Sequence, residues 1–190
     1  MPRKLAITRE MILEGAFQLV REQGHEALSV RSLAARLGCS TQPVLYQFQS
    51  VEELRRETYR RADQFHTDYL MALTGEYPDP MLEIGMHYIR FAAEEQRLFR
   101  FLFQTDEFSG QSLEELIADP EAAPLLAVLG QVTGMDRERV EKLFLAIFIG
   151  VHGYASLLAN NSMRYDPAAA QETLTAIFHG LIRRDKGERE

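Results

Sequence analysis

Apolar residues recur along this chain at steps of three and four, the spacing that places them on one face of an α-helix. The first such segment lies between Thr8, a candidate N-cap, and Gly24, a candidate terminator, and its apolar face comprises Ile12, Leu13, Ala16, Phe17 and Val20. Ser29 and Ser40 begin two shorter amphipathic segments, of which the first ends at Gly38. The pattern predicts three helices within the first 50 residues.

A longer helix follows. Ser50-Val51-Glu52-Glu53 has the spacing of a capping box, and apolar residues continue at helical spacing to Leu73, which predicts a helix over 51–74. Three Asp-Pro pairs further along combine an N-cap with a proline at the first helical position: Asp79-Pro80, Asp119-Pro120 and Asp166-Pro167. The sequence contains neither apolar-polar alternation nor an Asn-Gly turn, so no β-sheet is predicted.

The sequence therefore predicts an all-α protein of about nine helices. Residues 1–50 are expected to form a three-helix head, and residues 51–190 a helical body that begins with the connecting helix over 51–74. At 190 residues and 46% hydrophobic composition, the chain is long and apolar enough to bury a sizeable core.

Charge is distributed unevenly. Residues 1–60 carry nine Lys and Arg against seven Asp and Glu, and the remaining residues carry twelve against twenty-one, so a head of net +2 precedes a body of net −9. Phosphate binding needs local cations rather than a basic whole protein, so the total of −7 is compatible with DNA binding. A helical surface covered by ion pairs would show the same asymmetry.

Two features bear on the cellular compartment. The single cysteine precludes an intramolecular disulfide, and the N-terminal residues contain no apolar signal segment, so a cytoplasmic location is expected. The uncharged segment 143–163 includes His152 and Ser156, which favours a core or dimer helix over a membrane span. No membrane partner, cofactor or metal is expected, and no catalytic motif is present.

Three helices of about 15, 8 and 7 residues joined by glycine-containing turns are typical of a helix-turn-helix. The third helix would enter the major groove with Ser40, Thr41 and Gln42 in its first turn, where Gln42 can form two hydrogen bonds to adenine. Pro43 interrupts no helical hydrogen bond there. A helical hairpin with a polar surface turn is the alternative interpretation.

Residues 8–59 resemble, without a gap, the DNA-binding head of TetR-family transcriptional regulators. The matching places are held by Ser29, Leu33-Ala34, Leu37-Gly38-Cys39-Ser40, Phe48 and Ser50-Val51-Glu52-Glu53-Leu54. Two positions depart from the family pattern: Leu45 takes the place of an aromatic Tyr, with Tyr46 one residue later, and Val51 takes the place of a Lys. Both family side chains generally hold phosphates, so the resemblance implies different phosphate contacts here.

The expected DNA-contacting residues follow from the motif and the resemblance together. Tyr46, Gln47 and an N-terminal arm are predicted to replace the lost phosphate contacts, helped by the helix that begins after Ser50. The full set is Arg3, Lys4, Ser29, Arg31, Ser40, Thr41, Gln42, Pro43, Tyr46, Gln47 and Ser50. A solvated charge is the alternative for Arg31, and a core ring is the alternative for Tyr46.

The body resembles, more loosely, the ligand-binding and dimerisation part of the same family. The resemblance implies a pocket, for which the candidates are Phe65, Tyr69, Met86, Phe91, Phe103, Phe108, Phe148 and His152. A second apolar stripe on the helix around residue 150 implies a dimer interface containing Leu145, Ile149, Gly153, Leu157, Ile177 and Leu181. Core packing is the alternative for the aromatic residues.

These inferences predict a homodimeric transcriptional regulator that binds double-stranded DNA at a palindromic operator. A repressor that responds to an unknown small-molecule effector is the expected form, and no enzymatic activity is expected. The alternative is a helical dimeric module that binds a small molecule or a protein and does not bind DNA.

Overall fold

The computed structural model describes residues 7–105, 112, 115, 122–161 and 163–185. Within these residues the chain forms nine α-helices and no strand, which confirms the predicted all-α fold. The helices, with a short 3-10 turn at His25–Ala27 after the first, are α1 (Arg9–Gln23), α2 (Val30–Arg36), α3 (Thr41–Gln47), α4 (Val51–Met71), α5 (Pro80–Glu94), α6 (Gln96–Phe103), α7 (Ala123–Thr133), α8 (Arg137–Asn161) and α9 (Pro167–Asp185).

Most helices begin where a capping side chain predicts a start. The Thr8 hydroxyl accepts a hydrogen bond from the Met11 amide at 3.2 Å, and Ser29 accepts one from the Ser32 amide at 3.1 Å. Asp79 and Asp166 cap α5 and α9 in the same way. These bonds satisfy amides that have no partner within the helix, which is why such residues mark helix starts. The predicted cap Asp119 lies outside the described residues.

Helix α4 begins as predicted but ends three residues early, at Met71. The cause lies in α5: the buried carboxylate of Glu83 accepts hydrogen bonds from the Thr74 amide at 2.6 Å and the Gly75 amide at 3.1 Å. Backbone amides bonded to Glu83 in this way are unavailable for another helical turn. A contact with a side chain of the next helix therefore accounts for this helix end.

The chain divides into two compact units, and α4 contributes residues to both. The first unit comprises the described residues up to Asp68 together with 97–105, so α6 belongs to it. Its core cluster is Ile12, Ala16, Leu33, Ala34, Val44, Phe48 and Leu54. Helix α6 adds Phe101, whose ring lies edge-on to Tyr59 at 5.7 Å. The functional division predicted at residue 50 stays a prediction.

The second unit is built around α5, which packs against α8 and α9. Glycines permit close contact between these helices: a Cβ atom added at Gly150 of α8 would lie 3.1 Å from the Ile177 side chain of α9. Helix α8 is long and apolar enough to cross a membrane by length and composition. Its buried positions, including Val151, Ala155 and Leu158, lie on one face, so part of its apolar surface belongs to the core of this unit.

Glu83 should make stability depend on acid pH. Amide donors, chiefly that of Thr74, lower the pKa of its carboxyl in the folded protein. A lowered pKa stabilises the fold at neutral pH, and this stabilisation is lost as the pH falls below about 4.5. We expect Glu83→Gln to lower the melting temperature at pH 7, with a difference from wild type that shrinks towards pH 3.

Melting temperatures recorded by circular dichroism across this pH range would test the prediction. Asp68→Asn, at an exposed carboxylate that accepts a bond from Gln64, is the control and should keep the wild-type acid response. An unchanged acid response in Glu83→Gln would contradict the assignment.

Candidate nucleic-acid interface

The turn between α2 and α3 depends on a left-handed backbone at Gly38. This residue has φ 63°, and the Cys39 amide donates to the Ala34 carbonyl at 3.0 Å, which closes the end of α2. A Cβ atom at Gly38 would meet nothing within 4 Å, so the backbone conformation rather than crowding favours glycine. The turn then leads directly into α3.

Helix α3 is held by two buried side chains and exposes most of the others. Val44 is 1% exposed and Phe48, at the C-cap, is 2% exposed, and both belong to the core of the first unit. The exposed residues of the helix are Thr41, Gln42, Leu45 and Tyr46. Tyr46 is 87% exposed, so the core position considered for its ring is wrong. Pro43 and Gln47 are half-buried at the sides of the helix.

The arginines of the first unit differ in whether they form ion pairs. Residues 37–50 contain no charged side chain. Arg36 pairs with Glu22 at 2.7 Å, and Arg61 pairs with Glu10 at 2.6 Å and also with Glu14. Arg31, by contrast, is exposed and makes no ion pair with any residue that the structure describes. Its guanidinium is therefore available for a phosphate.

The first turn of α4 contains two carboxylate side chains, those of Glu52 and Glu53. The Glu53 amide donates to the Ser50 hydroxyl at 3.1 Å, and the Glu53 carboxylate accepts from the Gln49 amide at 2.7 Å. Hydrogen bonds from its own backbone amide and from Ser50 lower the pKa of Glu52, so this carboxylate is also ionised. Two carboxylates near one helix N-terminus oppose the approach of a phosphate. The geometry thus gives no support to the phosphate role predicted for Ser50.

Arg9 links the base of α3 to α4. Its guanidinium lies 4.2 Å from the centre of the Phe48 ring and pairs with Glu53 at 3.1 Å. Sequence reasoning missed this residue, because Glu53 lies 44 positions away and no local pattern connects the two. The guanidinium over the ring and the ion pair with Glu53 together connect the C-cap of α3 to the first turn of α4.

The predicted pocket residues are distributed over the two units. In the first unit, Phe65 packs edge-on against Phe17 at 5.4 Å, and Phe103 contacts His66 at 5.2 Å. Burial lowers the pKa of His66 to about 3, so its ring is neutral at physiological pH. Phe65 thus contributes to packing of α4 on α1.

The remaining pocket candidates lie in the second unit. Tyr69 donates to Glu94 at 2.8 Å, and its ring lies 5.4 Å from that of Phe91, which is fully buried, as is Met86. His152 stacks on Phe148 at 5.3 Å and bonds the Tyr88 hydroxyl through Nδ1 at 2.8 Å. Arg3, Lys4 and Phe108 lie outside the described residues.

Three of the six predicted dimer residues are exposed and three are half-buried. Ile149 is 52% exposed and Leu157 is 46% exposed, and Gly153 lies between them on the same face of α8. Leu145, Ile177 and Leu181 are half-buried, and Ile177 packs within the chain against Gly150. An exposed groove on α9 adjoins this set and is lined by Ala168, Gln171, Glu172, Thr175, Ala176, His179 and Gly180.

Substitutions of the buried ring of Phe48 and the exposed ring of Tyr46 should affect the free energy of unfolding very differently. Phe48→Ala removes a buried ring and should reduce the free energy of unfolding by about 3–5 kcal/mol. Tyr46→Ala, two residues earlier, removes a ring that contacts solvent and should leave this free energy within about 0.5 kcal/mol of wild type. Urea denaturation followed by circular dichroism measures both. A large loss of stability in Tyr46→Ala would show that its ring is packed.

Comparisons with known proteins agree with this arrangement. Residues 12–58 match the family described as bacterial regulatory proteins, tetR family, and residues 81–183 match the tetracyclin repressor-like C-terminal domain. An uncharacterized HTH-type transcriptional regulator of Mycobacterium tuberculosis is 27% identical over 157 residues, which is 82% of this chain and 72% of that protein.

Solved structures show the same fold. A tetR-family transcriptional regulator from Streptomyces coelicolor superposes with a TM-score of 0.70 at 15% identity, covering 96% of this chain and 89% of that one. A TetR-like regulator from Rhodococcus sp. RHA1 gives 0.64 at 15% identity, covering 99% and 100%. The C-terminal match spans more than half of the chain, and the helix-turn-helix of α2 and α3 has its own match. The protein therefore belongs to the TetR family of DNA-binding transcriptional regulators.

Proposed function

We propose that this regulator is a cytoplasmic homodimeric repressor that leaves a palindromic operator when a small molecule binds its second unit. The observation that carries the proposal is the exposed apolar face of α8. Ile149, Gly153 and Leu157 follow one another at steps of four, so they form a continuous stripe on one side of the helix. Exposed apolar stripes of this kind typically mark a protein interface.

A second copy of the chain is the proposed occupant of that stripe. The exposed side of α9 next to it includes Ala176 and Gly180, whose small side chains permit close approach of a partner helix. Two helices from each copy would form a four-helix bundle about a twofold axis. Twofold symmetry makes the same patch serve both copies, as in most homodimers.

Dimerisation determines the form of the operator. Two α3 helices related by a twofold axis would reach successive major grooves about 34–36 Å apart, so the half-sites are inverted repeats. In each half-site Gln42 contacts adenine, while Arg31 and the arm residues Arg3 and Lys4 bind phosphates. Hydroxyl groups at helix starts also suit phosphate contacts, and these belong to Ser29, Ser40 and Thr41. Pro43 and Gln47 would lie at the edges of the groove.

Regulation would act through the second unit. Two polar pairs there, Tyr69 with Glu94 and Tyr88 with His152, lie among aromatic side chains, which is the surrounding expected for a ligand with few polar groups. Because α4 contributes to both units, it is the proposed lever. A ligand changes DNA affinity only to the extent that it prefers one arrangement of the heads.

Other interpretations have less support. The module that does not bind DNA is disfavoured, because the family match includes the helix-turn-helix itself. Enzymatic activity is not proposed: the described residues contain no cluster of three or more potential metal ligands, and the sequence carries no catalytic motif.

The dimer proposal predicts the result of introducing a charge on α8. Ile149→Arg places a charge in the proposed apolar contact, so we expect a monomer by size-exclusion chromatography with light scattering. DNA affinity should fall together with dimerisation, because one head binds one half-site. Val132→Arg, at an exposed apolar position on α7, is the matched control and should stay dimeric. A dimeric Ile149→Arg would place the interface elsewhere.

The phosphate role of Arg31 predicts a change in salt dependence. Arg31→Gln removes one phosphate contact per head, so the slope of log affinity against log salt should fall by about two per dimer. The loss should be similar for different sequences. Arg60→Gln, at an exposed arginine paired with Glu57, is the control and should leave the slope unchanged. A loss limited to one base pair would instead assign Arg31 to base reading.

A further inference from the structure

The exposed face of α3 carries two large hydrophobic side chains beside the polar Thr41 and Gln42. Tyr46 and Leu45 are the two most exposed large hydrophobic side chains among the described residues, at 87% and 56%. No charged residue lies between Leu37 and Ser50, so these side chains have no neighbouring cation on their own helix.

Helical geometry orders the exposed residues of α3. Successive side chains are about 100° apart, so with buried Val44 as the reference, Gln42 and Tyr46 point almost directly away from the core. Leu45 lies about 100° from Val44, on the side of the helix that also carries Thr41. Leu45 and Tyr46 follow Gln42 at i+3 and i+4, so both are its neighbours on the helix surface. The three form one contiguous patch.

The chemistry of this patch matches an A·T pair better than a G·C pair. The commonest specific contact to guanine uses the charged donors of Arg or Lys, which α3 lacks. Gln42 supplies the donor and acceptor that suit adenine, and an apolar side chain suits the methyl group that only thymine presents in the major groove. Leucine has no hydrogen-bonding group, so it cannot replace the phosphate contact of the tyrosine usual at that place.

We propose that Leu45 is a specificity-determining residue that reads thymine through its C5-methyl group, with the Tyr46 ring as a second apolar contact beside an adenine bound by Gln42. This inference rests on the proposed placement of α3 in the major groove. Leu45 thereby contributes to specificity where the family pattern would place a phosphate contact, and the phosphates are left to other residues.

The test begins with selection of bound duplexes from a random pool by the full-length protein. Each thymine of the selected half-site is then replaced by deoxyuridine in both half-sites, which removes only the methyl group. At the position read by Leu45 we expect about fourfold weaker binding per methyl, hence about fifteenfold for the symmetric pair. In Leu45→Ala, the thymine and uracil duplexes should bind equally at that position.

Two further variants complete the experiment. Tyr46→Ala should abolish the methyl effect at a different thymine and keep it at the Leu45 position. Leu73→Ala, at an exposed leucine outside the first unit, should keep every methyl effect. The inference would be overturned by any of three results: selected half-sites that contain no thymine, wild-type affinity that does not change when thymine is replaced by deoxyuridine, or a loss of affinity on that replacement that persists in Leu45→Ala. If no duplex is selected, the proposed placement of α3 in the major groove is itself refuted, which is distinguishable from a failure of the Leu45 assignment alone.

Discussion

The burial of Val44 and Phe48 is the contact on which the DNA-binding surface depends. Helix α3 has seven residues, far fewer than an isolated helix needs to be stable in water. Its orientation therefore comes from the two side chains that enter the core of the first unit, and from Arg9, which lies over the Phe48 ring and pairs with Glu53. Which residues of α3 are exposed is a consequence of which two are buried.

The distribution of ion pairs explains how a head of low net charge can bind a polyanion. Most carboxylates of α1 and α4 are engaged by arginines that join helices: Arg9, Arg36 and Arg61 each bridge to another helix of the same unit. These pairs are partly exposed, and each contributes little stability alone. Their effect on the surface is larger, because they neutralise charge away from α3 and leave Arg31 unpaired with any described residue.

The second unit shows the same dependence on contacts between distant residues. Glu83 of α5 binds the backbone that follows α4, and its carboxylate accounts for the end of that helix at Met71 rather than near residue 74. Helix α8 buries one stripe against α5 and α9 and exposes another. A helix with two apolar faces needs a partner for each face, and the described residues of the chain cover one of the two.

The sequence by itself determined the helical class, the starts of most helices and the position of α3. The reason is that caps such as Thr8, Ser29 and Asp79, and the 3.6-residue period, act over a few positions. The family resemblance followed from the same local motifs. Only the tertiary structure decided the exposure of Tyr46 and the contacts of Arg9 with Phe48 and Glu53. Each of these depends on residues far apart in sequence, so periodicity, which reports one helix at a time, carries no information about them.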